Sequence, residues 1–267
     1  YYRGMIYSDY IFMAGMDEAI QNDLEAIGQE KLNDAAFGSL IKCFEMDDKN
    51  QWKNPITRKI EDLRKLSFNK AADSYNEKDF KNSLKLFERC VQMYNVLSKP
   101  DTVAMINAAN AAKALMDYDI AYKYYRLCAD NNFGNGSEMY QYMLISLYSM
   151  ADIDRDLCLN IIDLGKSKFP GDYGMSVEEY NFWLKLGEVE NANNAIQNAL
   201  IANPDNIELQ YSVGLLFDGL CTKHIDEKNL EKATLNFEKA VESYRNVIEL
   251  DSMYENGEPY YLIGRLH

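Results

Sequence analysis

Small and large side chains recur along the chain with helical spacing. In the clearest case Ser83 is followed four residues later by Phe87, and Cys90 comes three residues after that. Steps of four and three keep side chains on one face of an α-helix. The pattern starts again at three further small residues, at intervals of 38, 37 and 34 residues: Ala121, Cys158 and Ala192. We call this order of small and large positions the repeat register.

Each of these helices is preceded by a second helical segment and a short turn. Lys78-Asp79 and Gly187-Glu188 are two such turns, and Pro170 and Pro204 follow two of the register helices. A turn this short makes the two helices antiparallel, and the small residues allow them to approach closely. The pattern therefore predicts a series of helix-turn-helix units, because a repeated spacing of this length is typical of stacked helix pairs.

The repeat register resembles that of the tetratricopeptide repeat (TPR) family, particularly its bacterial members. The family consensus has small residues at its eighth, twentieth and twenty-seventh positions and an aromatic residue near its twenty-fourth. The resemblance is closest over residues 64–206, where Pro170 and Pro204 occupy the position of the family's helix-ending proline. The family's tryptophan at the fourth position is absent, and Tyr180 is large where a small residue is expected. The resemblance implies an all-α fold, a right-handed α-solenoid of about six helix-turn-helix repeats.

We expect a single TPR-like domain over residues 1–267. Its repeat units are predicted at approximately 1–50, 64–97, 102–135, 139–171, 173–206 and 207–252, with the start of a further helix at 259–267. Two units have extended helices. The first unit has about 20 additional residues, including the acidic stretch Met16–Lys31, and in the sixth unit residues 227–250 are predicted to form one long amphipathic helix.

The repeat register begins and stops in mid-pattern, and the ends of a helical repeat array expose apolar surface unless something covers them. We expect residues outside this numbering to supply the caps, or the ends to pair with another copy. The expected state is a monomer or a weak dimer.

Composition limits the classes of function. Lys and Arg number 28 against 42 Asp and Glu, which gives a net charge of −14. This balance argues against a nucleic-acid partner, because affinity for nucleic acid requires a basic surface. No apolar run is long enough for a membrane span. The sequence has two histidines and lacks a glycine-rich phosphate loop and a Gly-x-Ser-x-Gly motif, so we expect a protein that is not an enzyme.

Neither the cysteines nor the acidic clusters indicate a metal or a cofactor. Cys43, Cys90, Cys128 and Cys158 occupy small positions of the repeat register and are expected to be buried thiols. Cys221 and His224 provide two of the four ligands that a zinc site needs. Asp152, Asp154 and Asp156 alternate as at the start of a calcium loop, but the glycine and glutamate of such a loop are missing. We expect these acids to cap the next helix.

In the TPR family the first helix of each repeat lines a concave groove along which partner peptides lie. Asparagine can bind a peptide backbone as donor and acceptor at once. The resemblance places ten residues of this chain in that groove: Lys65, Asn69, Tyr75, Asn107, Asn110, Lys113, Tyr140, Asn181, Lys185 and Tyr211. Members that bind chaperone tails have lysines where this chain has Phe68 and Ile106, so that ligand is not expected.

The predicted function is a non-catalytic scaffold that binds a protein or peptide partner in the groove. One alternative is a structural spacer that associates with itself through open ends, and a second is a carboxylate-based hydrolase on a helical-repeat frame. Five thiols without a disulfide pattern favour the cytoplasm. Similar bacterial TPR proteins are often exported, which leaves the periplasm, after removal of a signal, as the alternative.

Overall fold

A computed structural model describes residues 4–9, 28–49 and 51–267. Within these ranges all regular structure is helical and no strand occurs. Most of the predicted acidic stretch Met16–Lys31 lies outside the described residues, and residues 4–9 are helical. The later helices are α1 (Gln29–Glu45), α2 (Lys53–Asn76), α3 (Phe80–Val96), α4 (Thr102–Ala114), α5 (Tyr118–Asp130), α6 (Glu138–Ser149), α7 (Arg155–Lys168), α8 (Gly174–Lys185), α9 (Val189–Ala202), α10 (Ile207–Asp226), α11 (Leu230–Leu250) and α12 (Glu258–Leu266), with a short 3-10 helix (Tyr254–Gly257) before the last.

The helices form two compact units, Tyr1–Phe133 and Gly134–His267, called unit 1 and unit 2 below. In unit 1 each helix from α1 to α5 packs against the next. In unit 2 the antiparallel pairs are α6 with α7, α8 with α9 and α10 with α11, while α8 also packs on α6 and α12 on α11. The predicted all-α fold built from TPR-like helix pairs is confirmed.

The small residues of the repeat register lie where paired helices touch. In unit 1 Ala71 of α2 and Ser83 of α3 are fully buried, as are Ala109 of α4 and Ala121 of α5. The hydroxyl of Ser83 donates to the carbonyl oxygen of Ala71 at 2.9 Å. A larger side chain at these positions would separate the two helices, so the register reflects close packing of one helix on the other.

Two cysteines of unit 1 make equivalent contacts in successive helix pairs. The thiol of Cys90 donates to the carbonyl oxygen of Arg64 at 3.5 Å, and that of Cys128 to Thr102 at 3.8 Å. Each donor lies 26 residues after its acceptor. These thiols are fully buried and fill a small apolar space, as the sequence predicts.

Four of the turns inside the helix pairs share one backbone conformation. Lys78 has φ 63°, and the N–H of Asp79 donates to the carbonyl oxygen of Ser74 at 2.8 Å. The carboxylate of Asp79 then accepts from the N–H of Asn82 at 3.2 Å, so one residue closes α2 and caps α3. The same turn joins three other pairs, with positive φ at Met116, Gly187 and Lys228.

Asp154 caps α7 by accepting a hydrogen bond from the N–H of Leu157 at 2.9 Å. This is the role predicted for the alternating acids Asp152, Asp154 and Asp156. The carboxylate satisfies one of the backbone donors that the first turn of a helix leaves without a partner. Helix capping therefore explains why an acidic residue stands at this position of a segment that resembles the start of a calcium loop.

Three helices are unusually long. α10 has 20 residues and α11 has 21, as expected for the extended unit near the C-terminus. α2 has 24 residues and begins at Lys53, eleven residues before the repeat that the sequence places at 64. Its added turns bury Ile56, Ile60 and Leu63 in a cluster with Leu40 of α1. This apolar face extends the helix beyond the repeat register.

Candidate functional site

The ten predicted groove residues divide between the two units, six in unit 1 and four in unit 2. In unit 1, Lys65, Asn69 and Tyr75 lie on α2 and are exposed. The ring of Tyr75 packs edge-on against Phe80, with the ring centroids 5.1 Å apart. The exposed side chains of α2 therefore form a mixed surface of lysine, amide and aromatic groups.

Two of the α4 residues make hydrogen bonds within the chain. The side-chain amide of Asn107 donates to the carbonyl oxygen of Val103 at 2.7 Å. The side-chain oxygen of Asn110 accepts from the hydroxyl of Tyr125 at 2.9 Å, which joins α4 to its pair helix α5. Lys113 is exposed at the end of α4. These bonds occupy side-chain groups of Asn107 and Asn110 that the family resemblance assigns to a peptide backbone.

In unit 2 the four predicted residues have different surroundings. Tyr140 is 6 % exposed and packs edge-on against Phe169, so its ring is not available to a partner, in contrast to the prediction. Asn181 of α8 donates to the carboxylate of Glu178 at 3.4 Å, and Lys185 is exposed. Tyr211 of α10 donates to the carboxylate of Glu258 at 2.7 Å.

Unit 2 has an open cavity of about 520 Å³ that is lined by three successive first helices. Glu138 of α6, Glu178 of α8 and Glu208 of α10 contribute carboxylates to it, and Asp172 contributes a fourth from the turn before α8. We call the residues around this cavity the first-helix face of unit 2. The face therefore concentrates negative charge at a concave position.

Tyrosines fix the carboxylates of this face. Tyr148 of α6 donates to Glu178 and Tyr173 donates to Glu208, each at 2.7 Å. Burial, with the charge of Glu178, raises the pKa of Tyr148, and the hydrogen bond to Glu208 raises the pKa of Tyr173. Both phenols therefore remain donors through the neutral pH range. Because each bond joins one first helix or its leading turn to the next, it also fixes the spacing of the carboxylates.

The backbone at the base of the cavity is closely packed. The carboxylate of Asp172 accepts from the backbone N–H of Gly174 at 2.8 Å and from that of Ser137 at 3.1 Å. A Cβ atom on Gly174 would lie 2.2 Å from Nε2 of Gln141, so a larger residue there would displace the Gln141 side chain that lines the cavity. Glu138 and Asp172 were not among the predicted groove residues, because they precede the helices that the repeat register defines.

The remaining reactive groups are structural or isolated. Among the described residues, no three His, Cys, Asp or Glu side chains are grouped closely enough to hold a metal ion. Nδ1 of His224 in α10 lies 3.0 Å from a carboxylate oxygen of Glu227, the residue that follows the end of this helix. Of the helices described, none combines the length and the apolar character needed to cross a membrane.

Three cysteines are expected to resist alkylation in the folded protein. Burial raises the pKa of Cys158 to about 11 and that of Cys90 and Cys128 to about 12. The thiolate is the reactive form, so labelling by iodoacetamide at pH 8 should be at least about 100-fold slower than in denaturant. Peptide mass mapping over time measures each rate, with the partly exposed Cys43 as the internal reference.

Equal labelling of Cys43 and Cys158 in the native protein would contradict the burial of Cys158.

The raised pKa values also imply a pH dependence of stability. The unfolded thiols ionise near pH 8.5–9 while the folded thiols keep their protons, so these groups stabilise the folded state at lower pH and less as pH rises above that range.

No family model matches the chain, and no curated protein matches it in sequence. Several solved structures resemble it at low sequence identity. A TPR repeats protein from Bacteroides fragilis is 16 % identical, with a TM-score of 0.40 over 76 % of this chain and 97 % of that one. A thermophilic TPR protein from Thermus thermophilus is 17 % identical, with a TM-score of 0.40 over 74 % of this chain and 99 % of that one.

The human IFIT1 dimer in complex with m7Gppp-AAAA also resembles the chain. It is 13 % identical, and the match covers 97 % of this chain and 64 % of IFIT1, with a TM-score of 0.47. The small-residue contacts, the shared turn and the antiparallel pairs described above are features of this chain itself. By its repeat register and its helix pairs, the chain has a TPR-like fold.

Proposed function

We propose that the chain is a non-catalytic protein-interaction scaffold and that the first-helix face of unit 2 binds a positively charged segment of a partner protein. The observation that carries this proposal is the 520 Å³ cavity on three successive first helices, with carboxylates from Glu138, Asp172, Glu178 and Glu208. Three first helices line this cavity, and first helices line the groove of the family that the chain resembles, but none of the four predicted groove residues of unit 2 is part of the lining. A concave surface of one charge attracts ligands of the opposite charge.

The tyrosine bonds support binding rather than catalysis. Tyr148 and Tyr173 hold Glu178 and Glu208 by donating to their carboxylates at 2.7 Å. A carboxylate that is already hydrogen-bonded is a good fixed charge for a lysine or arginine side chain, because the ligand meets a surface that needs little reorganisation. The net charge of −14 likewise favours a basic protein segment over a nucleic acid.

The test compares peptides of opposite charge. A fluorescein-labelled pool of Lys- and Arg-containing decapeptides is titrated with the protein, beside a pool with Glu and Asp at the same positions. We expect only the basic pool to bind, and the variant Glu178→Gln/Glu208→Gln to bind at least about tenfold more weakly because two ligand-facing charges are lost. Fluorescence anisotropy at low and high salt measures both effects, and higher salt should weaken binding.

The matched control removes two carboxylates from second helices. Glu190→Gln/Glu238→Gln changes exposed residues of α9 and α11 and has the same net charge as the test variant. Equal weakening in both variants would show that total charge, and not the first-helix face, determines binding. Binding that is unchanged in both would place the partner surface elsewhere. Circular dichroism confirms that each variant is folded, and light scattering shows whether the chain associates with itself instead.

A further inference from the structure

A second cavity of unit 2 lies on a different side of the helix pairs and has a different chemistry. It measures about 450 Å³ and opens between the second helices α9 and α11, with α10 behind it. Amide and hydroxyl side chains dominate its polar lining: Asn193, Gln197, Gln210, Ser243 and Asn246. The size is within the range of about 300–1,000 Å³ that small-ligand sites occupy.

One buried polar atom in this cavity lacks a hydrogen-bond partner. The side-chain oxygen of Asn193 is buried and accepts no hydrogen bond within the described part of the chain. Ser243, which is 6 % exposed, also lines the cavity. Buried polar groups are nearly always hydrogen-bonded in folded proteins, because leaving them without a partner costs free energy. The oxygen of Asn193 is therefore suited to a ligand that supplies the missing donor, with the hydroxyl of Ser243 as a second polar group of the same cavity.

The back wall of the cavity is held rigidly. Nε2 of Gln210 donates to the carbonyl oxygen of Pro204 at 3.1 Å, and Oε1 of Gln210 accepts from Nδ2 of Asn246 at 3.3 Å. Gln210 itself is 8 % exposed. These bonds fix the orientation of Asn246 before any ligand arrives, so a ligand meets a preorganised surface.

The lining favours an uncharged ligand that has both donors and acceptors. Its only charged members, Lys239 and Glu242, are opposite in sign, and the ammonium of Lys239 lies 4.7 Å from the ring centroid of Phe217. Phe217 is 5 % exposed and covered in this way, so it offers no open aromatic platform on which a sugar ring could stack. A peptide group is uncharged and carries a donor and an acceptor together, so a peptide main chain meets this requirement.

The spacing of the polar groups fits an extended backbone. Asn193 and Gln197 are four residues apart on α9, and Ser243 and Asn246 are three apart on α11, so each pair has Cβ atoms about 5–6 Å apart on one helix face. Along one edge of an extended peptide the N–H and C=O groups recur every second residue, or about 6.6 Å. We propose that this cavity binds the main chain of an extended, uncharged peptide segment with small side chains, in addition to the partner of the first-helix face.

Nuclear magnetic resonance of the whole chain tests the proposal directly. The probe is a pool of acetylated and amidated hexapeptides randomised over Gly, Ala, Ser, Thr and Val, added at millimolar concentration. We expect the side-chain amide signals of Asn193 and Gln197 to shift, and a pool with N-methylated peptide groups to cause no shift. The variant Asn193→Ala/Ser243→Ala should bind at least about tenfold more weakly, whereas Asn194→Ala, an exposed asparagine on the same helix, should bind normally.

A stability measurement separates a binding role from a structural one. Because the oxygen of Asn193 has no partner in the free protein, Asn193→Leu should unfold at the same or a higher temperature than the wild type while losing the peptide. A clearly lower unfolding temperature would assign the amide to folding and overturn the proposal. The proposal also fails if the amide signals respond to a linear glucose hexasaccharide and not to peptides, or to neither probe. The variant Glu178→Gln/Glu208→Gln should leave these shifts unchanged, so this test does not depend on the first-helix face.

Discussion

Replacement of Phe87 by alanine is expected to lower the free energy of unfolding by about 3–5 kcal/mol. Phe87 is the large residue of the repeat register in α3, and its side chain is 1 % exposed. Its ring packs edge-on against Phe68 of α2, with centroids 5.2 Å apart and an interplanar angle of 69°. The substitution removes this contact and leaves a cavity between paired helices that cannot close without moving α2.

Guanidinium unfolding followed by circular dichroism measures the loss, and hydrogen exchange of α3 amides shows whether it arises in unit 1. Phe87→Leu keeps most of the volume and is the matched control, with an expected loss of less than about 1.5 kcal/mol. If Phe87→Ala were no more destabilising than Phe87→Leu, the large position of the repeat register would not be a packing position.

Replacement of Gly214 by alanine is expected to destabilise unit 2 by about 2 kcal/mol, although alanine is the better helix former. A Cβ atom on Gly214 of α10 would lie 2.4 Å from Cε1 of Tyr244 and 2.6 Å from its Cδ1. Tyr244 of α11 is fully buried, so its ring has no open space into which it can move. Displacing the ring would also strain the bond from its hydroxyl to Asp218, which measures 3.2 Å.

The same helix provides a matched control. Gly219 also lies inside α10, but a Cβ atom there would have no neighbour within 4 Å. Gly219→Ala should therefore stabilise the protein by about 0.5–1 kcal/mol through helix propensity alone. Thermal and guanidinium unfolding of the two variants should give opposite signs. A gain in stability for both would show that the small position at 214 is not set by Tyr244.

The sequence predicted the helix pairs because their packing leaves a local trace. Ser83, Phe87 and Cys90 keep to steps of four and three, since only side chains on one helix face can reach the paired helix. Asp154 could be assigned to a helix cap because an aspartate just before an apolar helical run satisfies backbone donors of the first turn. The long helix near the C-terminus followed from the additional residues of the sixth unit, which lengthen both of its helices.

The site was less predictable, because hydrogen bonds between distant residues decide it. Asn110 was assigned to a partner peptide, but its side-chain oxygen accepts from Tyr125, fifteen residues away on the pair helix. Tyr140 was assigned to the groove, but Phe169 covers it. Asp172 and Glu138 were not predicted, since their place in the site depends on the cavity that they share with the carboxylates of Glu178 and Glu208 on other helices.

The amino-acid sequence by itself determined which segments are helical, which face of each helix is buried and which residues end or cap them. These properties depend on side-chain periodicity and on bonds within one turn, so they can be read over a few residues. Tertiary structure alone decided which polar groups remain available to a partner. Exposure and hydrogen bonding depend on what a second or third helix places nearby. Tyr148 donates a hydrogen bond to Glu178, whereas no residue in the described part of the chain donates one to the buried oxygen of Asn193.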